Sequence, residues 1–378
     1  VRWRKRRENR NAVQSLMVFC RVHVIAAQEE VFIMSVVTLI GAGQMASALT
    51  FPLFENGHEV RLVGSPLDDE IIDRLREDNY HVNLRRTLHE GIHYIKCTDV
   101  KEAIQGADVI VCGVSSFGVD WFADEILPIL DENVPMISVT KGMLDYEDGT
   151  MQTYPEYWQS KLPEGSKLRL YAIGGPCTAR DLADHDPSFV AYCGPDFETL
   201  EWLRSIFATD YYIISLTLDV VGLECAVALK NGYALGTALA IGIKEKLGDD
   251  GIDHNNMKAA LFQESVKEML ELLRIVGGGV DNIMFAAGDL DVTVSAGRSR
   301  TVGLLLGKGY TIEETLEQLQ GQTLEAVVIA TRTARAVKAL AKAGKVSEDD
   351  FPLLMHVNEL LNEHGKLNIP WKKFEKRM

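Results

Sequence analysis

The sequence predicts an α/β protein in which a doubly wound, mostly parallel sheet domain precedes an all-α C-terminal domain. Two observations support this fold class. Strand and helix signals alternate through the first half of the chain, as they do in parallel sheets. From Leu218 onward strand signals nearly vanish and helical patterns follow one another. We therefore expect a sheet domain over residues 34–215 and a helical domain over residues 216–378.

The first 33 residues differ in composition from the rest of the chain. Residues 1–10 are strongly basic, whereas the whole chain carries a formal net charge of −15. Arg21 and His23 interrupt the apolar run that a signal peptide would need. Met34 comes almost directly before the first clear strand. We interpret residues 1–33 as a non-native or disordered leader.

Short β-branched and apolar runs predict the strands of the sheet. They cover residues 36–40, 59–63, 108–112, 135–139, 168–173 and 188–192. Helical patterns fall between them, over residues 47–56, 100–105 and 120–130. This order is typical of a doubly wound sheet.

Residues 41–46 carry the Gly-x-Gly-x-x-Ala form of the dinucleotide-binding fingerprint, with a strand before it and a helix after it. Gly41 permits the tight turn. Gly43 lets a pyrophosphate approach the helix N-terminus, where backbone amides favour anions. Ala46 lets the helix pack closely on the strand. With Gln44 and Met45, these residues form the predicted cofactor loop of a Rossmann-type domain.

The second predicted strand has no acid at its end to bind the adenosine ribose of NAD. The chain continues Val63-Gly-Ser-Pro66, so Ser65 is the candidate cofactor contact there, and Asp68 and Asp69 come slightly late. No arginine follows directly to bind a 2′-phosphate. The predicted cofactor is therefore NAD or NADP.

Three polar clusters follow strands, at the sheet edge where folds of this kind bind ligands. The first contains Ser115 and Phe117, which we expect to contact the cofactor. The second contains Lys141, which either points into the ligand crevice or is a solvated loop lysine. The third, residues 174–181, includes Gly175 and Ala179 and turns into a helix that lines the same crevice.

Lys230 interrupts an apolar stretch over residues 220–243. A buried ammonium group must find partners or shift its pKa, which is typical of a lysine with acid–base chemistry. The alternative is a helix that turns Lys230 out to water. The stretch is long enough to span a membrane, but Glu224, Lys230 and Asn231 favour a buried helix that lines a site.

Helical patterns cover residues 220–247, 255–276, 311–321, 323–345 and 349–362 of the C-terminal half. Between them we expect a loop over residues 286–300, because this segment is rich in small and hydroxyl-bearing side chains. Arg298 in this loop either grips a phosphate through its planar guanidinium or pairs with a surface carboxylate. Asp289 is either a cap or a site residue.

Charge and cysteine usage exclude several classes of function. The net charge of −15 argues against general nucleic-acid binding, which needs a basic surface. The six cysteines are scattered without a Cys-x-x-Cys pair, which suits reduced thiols in a cytoplasm and provides no metal site.

Taken together, the motifs resemble those of the NAD(P)-dependent sn-glycerol-3-phosphate dehydrogenase family. The resemblance runs from about Val36 to about Trp371. The motifs that carry it are Gly41-Ala-Gly-Gln-Met-Ala46, Ser138-Val-Thr-Lys-Gly142, Gly175-Pro-Cys-Thr-Ala-Arg-Asp181, Ala228-Leu-Lys-Asn231, Gly288-Asp-Leu-Asp-Val-Thr293 and Gly297-Arg-Ser-Arg300.

This resemblance implies an oxidoreductase that interconverts sn-glycerol 3-phosphate and dihydroxyacetone phosphate and so supplies glycerol phosphate for phospholipid synthesis. It implies that Lys230 is the catalytic acid–base and that Lys141 is a second active-site lysine. It places Asn231, Asp289 and Thr293 around the reacting carbons. It also implies a cytoplasmic homodimer without stable membrane insertion.

The same resemblance gives Arg298 a phosphate-binding role and suggests that Glu325 reaches the cofactor from the helical side. Two positions depart from the family pattern. Ser299 replaces the usual Asn, and Asp181 replaces the usual Glu with a shorter side chain. Both departures bear on how substrate and cofactor are held.

Two alternatives remain open at the level of sequence. One is a related two-domain dehydrogenase, similar to ketopantoate reductase or 6-phosphogluconate dehydrogenase, although residues 288–300 fit these poorly. The other is a cofactor-sensing protein without turnover, which would need neither Lys141 nor Lys230.

Overall fold

The computed structural model describes residues 34–295, 297–322 and 324–375. The chain from Ser35 onward forms one compact unit. The predicted leader, residues 1–33, lies outside the described residues.

Strands in the described part of the chain are concentrated before residue 218. They are β1 (Val36–Ile40), β2 (Glu59–Val63), β3 (Tyr80–His81), β4 (Arg86–Thr87), β5 (His93–Ile95), β6 (Val109–Cys112), β7 (Met136–Ser138), β8 (Met143–Asp145), β9 (Met151–Thr153), β10 (Leu170–Gly174), β11 (Ser188–Cys193) and β12 (Tyr212–Thr217).

Helices alternate with these strands and then continue alone. They are α1 (Gln44–Glu55), α2 (Asp69–Asp78), α3 (Val100–Ala103), α4 (Val119–Trp121), α5 (Tyr154–Lys161), α6 (Ala179–Ala183), α7 (Phe197–Phe207), α8 (Val220–Leu247), α9 (Asn255–Val276), α10 (Ile283–Ser295), α11 (Arg298–Lys308), α12 (Ile312–Gln318), α13 (Glu325–Lys342) and α14 (Pro352–Asn362).

The main sheet has the strand order β12-β11-β10-β7-β6-β1-β2-β5. Its neighbouring strands are parallel except for β10 and β11, which are antiparallel. From β1 the chain builds outward through β2 and β5, and then returns to the other side of β1 at β6. The ends of β1 and β6 therefore flank the switch point, where sheets of this kind bind ligands. The predicted mostly parallel, doubly wound sheet is confirmed.

Side chains of β1 alternate between the two faces of the sheet, as the pleat requires. Leu39 belongs to one apolar cluster with Leu49 of α1. Ile40 belongs to a second cluster with Phe122 on the opposite face. Apolar clusters therefore cover both faces of the sheet, and the carboxyl edge of its strands is left open.

One predicted helix is broken into short pieces. Residues 120–130 were expected to be helical, but α4 continues into a π-helical turn over Phe122–Ile126 and a 3-10 turn over Leu127–Ile129. Pro128 lies within this last turn and has no N–H to continue an α-helix.

Helix α8 is the central element of the helical half. Nineteen of its 28 residues are buried, and helices α9, α10, α11 and α13 pack around it. Its length and hydropathy would suit a membrane span, but 83% of the apolar window lies inside the protein. The predicted buried helix is confirmed by this packing.

The predicted loop over residues 286–300 is wrong. The segment is helical through Ser295, and α11 begins at Arg298 after Gly297, which has a φ of 103°. Ala286, Leu290 and Val294 are all buried. Their i, i+4 spacing forms an apolar helix face that outweighs the low helix propensity of the segment's glycine and β-branched residues.

Candidate active site

Side chains from both halves of the chain meet on one carboxylate, that of Asp289. Lys230 Nζ, from the middle of α8, donates a hydrogen bond to Asp289 Oδ1 at 2.9 Å. Lys141 Nζ, from the segment after β7, donates to Asp289 Oδ2 at 2.6 Å. Asp289 is only 2% exposed. A buried carboxylate on α10 therefore bridges a lysine of the sheet half and a lysine of the helical half.

Two further predicted residues complete this cluster. Lys230 Nζ also donates to Thr293 Oγ1 at 2.8 Å, and the Thr293 hydroxyl donates to the Asp289 carbonyl one turn earlier at 2.7 Å. Lys141 Nζ donates to the Gly175 carbonyl at 3.0 Å. Since Asp289 and Thr293 are four residues apart on a helix, both side chains reach the same lysine.

The two lysines differ in electrostatic environment. Burial lowers the pKa of Lys230, and the nearby Lys141 charge lowers it further against the attraction of Asp289. Burial also opposes the charge of Lys141, but the attraction and hydrogen bond of Asp289 outweigh burial and raise its pKa. Environments that shift the pKa values of two neighbouring titratable groups in opposite directions are typical of acid–base sites. Lys230 is the lysine that loses a proton more readily.

The glycine loop after β1 fits a dinucleotide phosphate. Gly41 has a φ of 105°, and a Cβ there would lie 2.8 Å from the Gly113 carbonyl group, so only glycine suits this turn. A Cβ on Gly43 would meet only the Gly113 oxygen, at 3.6 Å. No described side chain caps the N-terminus of α1, where Gln44 and Met45 begin the helix. The loop therefore leaves backbone amides open to an anion.

Close packing explains Ala46. A Cβ on Gly113, after β6, would lie 2.4 Å from Ala46 Cβ. The methyl group of Ala46 therefore fills the space between α1 and the end of β6, and a larger side chain would separate helix and sheet.

Other predicted cofactor residues follow strands at the same sheet edge. Ser65 follows β2, Ser115 and Phe117 follow β6, and Ala179 begins α6 after β10. Phe117 is 63% exposed, which leaves its ring available to a ligand. Glu325, the first residue of α13, meets this edge from the helical side.

The contact between Glu325 and the sheet edge is made by Ser116, which belongs to the predicted polar cluster after β6 but was not among the individual cofactor residues predicted. Ser116 Oγ donates to Glu325 Oε1 at 3.1 Å. The only sequence signal for Ser116 was its position between Ser115 and Phe117.

Three predicted substrate residues lie outside this hydrogen-bonded cluster. Asn231 is 6% exposed, and its amide has no hydrogen-bond partner within the described residues. Arg298 is exposed and forms no ion pair with any residue that the structure describes. Ser299 is half-buried next to it. Asp181, the fourth position of interest, accepts a hydrogen bond from Thr178 at the start of α6.

Glu224, which in the sequence indicated a buried helix that lines a site, was not among the individual site residues that we predicted. It is 1% exposed, and neither carboxyl oxygen has a hydrogen-bond partner among the described residues. Burial raises the pKa of Glu224 to about 8, while the charge of Lys141 acts in the opposite direction. The same signal that marked Lys230, a charge in an apolar helix, was present for Glu224 six residues earlier.

Comparison with known proteins agrees with this geometry. A family model described as the NAD-dependent glycerol-3-phosphate dehydrogenase N-terminus matches residues 36–197. The model of the C-terminus of the same family matches residues 219–370. Together they cover the sheet half and the helical half.

The relatives carry the same names. The NADP(+)-dependent glycerol-3-phosphate dehydrogenase of Archaeoglobus fulgidus is 31% identical over 316 residues, which are 83% of this chain and 91% of that protein. The glycerol-3-phosphate dehydrogenase [NAD(P)+] of Bacillus pumilus is 29% identical over 86% of this chain and 90% of that protein.

The fold is also shared with a solved structure. The glycerol-3-phosphate dehydrogenase of Coxiella burnetii superposes with a TM-score of 0.74 at 23% identity, over 90% of this chain and 98% of that chain. These similarities confirm the predicted NAD or NADP cofactor class. Since both family models match and a relative exceeds 30% identity over most of its length, the chain belongs to the NAD-dependent glycerol-3-phosphate dehydrogenase family.

Proposed function

We propose that this chain interconverts sn-glycerol 3-phosphate and dihydroxyacetone phosphate with NAD or NADP. The observation that carries the proposal is the meeting of Lys230 and Lys141 on Asp289. This cluster joins the segment after β7 to α8 and α10, on the open edge of a sheet with a dinucleotide loop. The cofactor, when bound, supplies the hydride acceptor or donor.

Lys230 is proposed as the acid–base group. In the oxidation direction the neutral amine takes the proton of the carbon-2 hydroxyl, and in the reduction direction the ammonium returns it. The lowered pKa of Lys230 supports this role, because a base works best when its pKa is near the working pH. Asp289 and Thr293 fix the position of Nζ through two hydrogen bonds.

Lys141 is proposed to keep its proton and to contact both substrate and cofactor. Its raised pKa supports a fixed positive charge beside the reacting oxygen. A fixed charge placed where negative charge develops lowers the barrier without proton transfer.

The substrate phosphate is proposed to bind to Arg298 and Asn231, with Ser299, Thr293 and the Gly175 segment shaping the pocket. The support is the exposed Arg298 guanidinium, which has no ion-pair partner among the described residues, and the position of Asn231 directly after Lys230 on α8.

The cofactor is proposed to bind along the carboxyl edge of the sheet. The proposed contacts are Gly41, Gly43, Gln44, Met45, Ala46, Ser65, Ser115, Phe117, Lys141, Ala179, Arg298 and Glu325. The open space above Gly43 and the uncapped start of α1 support the pyrophosphate end.

A spectrophotometric assay of the purified protein tests the reaction. Dihydroxyacetone phosphate is added with NADH and, separately, with NADPH, and nicotinamide absorbance is followed. We expect oxidation of at least one of the two cofactors. No absorbance change with either would contradict the proposal, and ketopantoate and 6-phosphogluconate then serve as the substrates of the alternative dehydrogenases.

We further propose a cytoplasmic homodimer that supplies glycerol phosphate for phospholipid synthesis. The division into a domain over 34–215 and a domain over 216–378 is proposed with it. The burial of α8 supports a protein without membrane insertion. Size-exclusion chromatography with light scattering tests the dimer, since a mass near that of one 42.0 kDa chain would contradict it.

A further inference from the structure

The peptide units around Ala42, in the middle of the dinucleotide loop, are held by two side chains from outside the loop. The Ala42 N–H donates to Asp68 Oδ2 at 3.0 Å. The Ala42 carbonyl lies 2.9 Å from His81 Nε2. Asp68 is the residue before α2, and His81 lies in β3. Both faces of the loop backbone are therefore fixed by segments that are distant in sequence.

The second ring nitrogen of His81 decides its tautomer. The Leu84 N–H donates to His81 Nδ1 at 3.0 Å, so Nδ1 is an acceptor and Nε2 carries the proton that is donated to Ala42. His81 is fully buried, and burial lowers its pKa. The imidazole is therefore neutral at pH 7 and satisfies Leu84 and Ala42 at once.

Asp68 connects two loops through a single oxygen. Its Oδ2 accepts the Ser65 N–H at 2.8 Å as well as that of Ala42. Hydrogen bonds to an ionised carboxylate are stronger than neutral ones. Asp68, which follows β2 slightly late in the sequence for a ribose contact, is thus hydrogen-bonded to the protein's own backbone. It connects the segment after β2 to the loop after β1.

These contacts matter because the loop itself is short and poor in side chains. Gly41 and Gly43 flank Ala42, and glycine loses more conformational freedom on ordering than other residues. A loop that is ordered only when the cofactor arrives binds it more weakly than a preorganised loop. Fixing the N–H and the carbonyl of Ala42 removes the peptide rotations that would turn amides away from a pyrophosphate.

We propose that His81 and Asp68 are positioning residues of the cofactor site, which hold the Ala42 backbone in the conformation that binds the pyrophosphate. The proposal rests on cofactor binding at this loop, which is part of the proposed function. Its deciding measurement is cofactor affinity, with kcat as a control, so a protein that failed to turn over glycerol 3-phosphate would leave it intact.

Two substitutions of His81 separate its two contacts. His81→Gln puts an amide N–H near the position of Nε2 and keeps the bond to Ala42. His81→Asn puts an acceptor near Nδ1 and keeps the bond to Leu84, but it does not reach Ala42. The dissociation constants of NADH and NADPH are measured by fluorescence titration, together with Tm and, with saturating cofactor, kcat.

We expect His81→Asn to weaken cofactor binding about fivefold to tenfold, the effect of one lost hydrogen bond. His81→Gln restores affinity to within about twofold of the original protein. In both variants kcat at saturating cofactor stays within about twofold, because the reacting groups are untouched.

Equal affinity in the two variants would overturn the proposal, whether both bind like the original protein or both are weakened in step with Tm. If His81→Asn does not fold, Asp68→Ala tests the other contact in a half-exposed residue. A fivefold or greater loss of cofactor affinity with unchanged kcat supports the proposal, and unchanged affinity overturns it.

Discussion

Lys230 and Lys141 carry the same charge and bind the same carboxylate, yet their pKa values shift in opposite directions. Burial is the largest influence on the pKa of both lysines and lowers it; at Lys230 the Lys141 charge adds to burial, whereas at Lys141 the attraction and hydrogen bond of Asp289 outweigh burial. Sequence alone predicted both lysines, because a charge in an apolar helix and a lysine after a strand are visible in the pattern. It could not predict that they share one carboxylate, which depends on contacts across 59 and 148 residues.

Replacing Lys230 tests the proposed acid–base role. We expect Lys230→Ala to lower kcat by about a thousandfold, the usual contribution of a positioned acid or base. Cofactor affinity, measured by fluorescence titration, should change by less than about twofold, because the proposed cofactor contacts lie on other elements. Lys244→Ala is the control, since Lys244 is exposed near the end of the same helix. Turnover near that of the original protein would contradict the role.

Asp289 should set the pH at which Lys230 loses its proton. Its charge raises the pKa of Lys230, so Asp289→Asn lowers that pKa further. Oxidation needs the neutral amine and increases with pH, and we expect its rising limb in kcat/KM to move to lower pH in this variant. Asp291→Asn, an exposed residue of the same helix, should leave the limb in place. A rising limb that stays at the same pH or moves to higher pH in Asp289→Asn would contradict the proposed influence of Asp289 on the pKa of Lys230.

Helices α8 and α11 pack so closely that backbone meets backbone. A Cβ on Gly242 would lie 2.0 Å from the Leu304 carbonyl oxygen, and a Cβ on Gly303 would lie 2.2 Å from that of Leu235. Glycines in a helix cost propensity, and this close packing explains why α8 contains them. The packing of α11 on α8 was not predicted, because residues 286–300 were expected to be a loop and the start of α11 at Arg298 was not recognised.

Adding a methyl group to this contact tests its tightness. We expect Gly242→Ala to lower the free energy of unfolding by about 2 kcal/mol or more, because rigid backbone blocks the new Cβ. In Gly236→Ala the new Cβ lies 3.3 Å from the side chains of Leu353 and Val357, which can move. That variant should lose less than about 1 kcal/mol, since alanine also favours the helix. Chemical denaturation measures both, and an equal loss in the two variants would contradict the interpretation.

For the molecule as a whole, the sequence predicted the central strands of the sheet half well and its edge strands poorly. The central strands are short apolar runs with clear turn signals, and the structure places them within two residues of the expected bounds. The edge strands β5 and β12 and the hairpin of β8 and β9 were not predicted. Strands β5, β8 and β9 have three residues each and are partly exposed, so no buried apolar run marks them as it marks β7. The hairpin is held by the ion pair of Asp145 with Arg335 of α13 at 2.8 Å, a long-range contact that no local pattern contains.

Two buried carboxyl groups should make stability depend on pH. The pKa values of Glu224 and Glu268 are raised from 4.5 to about 8, chiefly by burial. The folded protein therefore retains protons that the unfolded chain releases, and unfolding free energy falls as pH rises from 4.5 to about 8. Each group contributes a slope of up to about 1.4 kcal/mol per pH unit.

Glu224→Gln removes one of these groups while keeping its shape. We expect a shallower fall of unfolding free energy with pH and a variant that is more stable than the original protein at pH values near 8. Denaturant unfolding at a series of pH values measures this. Glu198→Gln, on an exposed residue, should keep the original slope, and an unchanged slope in Glu224→Gln would contradict the assignment.

The shared carboxylate of Asp289 has a consequence for the evolution of this site. Active-site residues often reduce stability, so that replacing them gives a more stable but inactive protein. Here the reverse should hold for Asp289, because its removal leaves the largely buried amino groups of Lys141 and Lys230 without their shared counter-charge. Selection for stability and selection for activity therefore act in the same direction at this position, and inactive descendants of the enzyme could not discard Asp289 without cost.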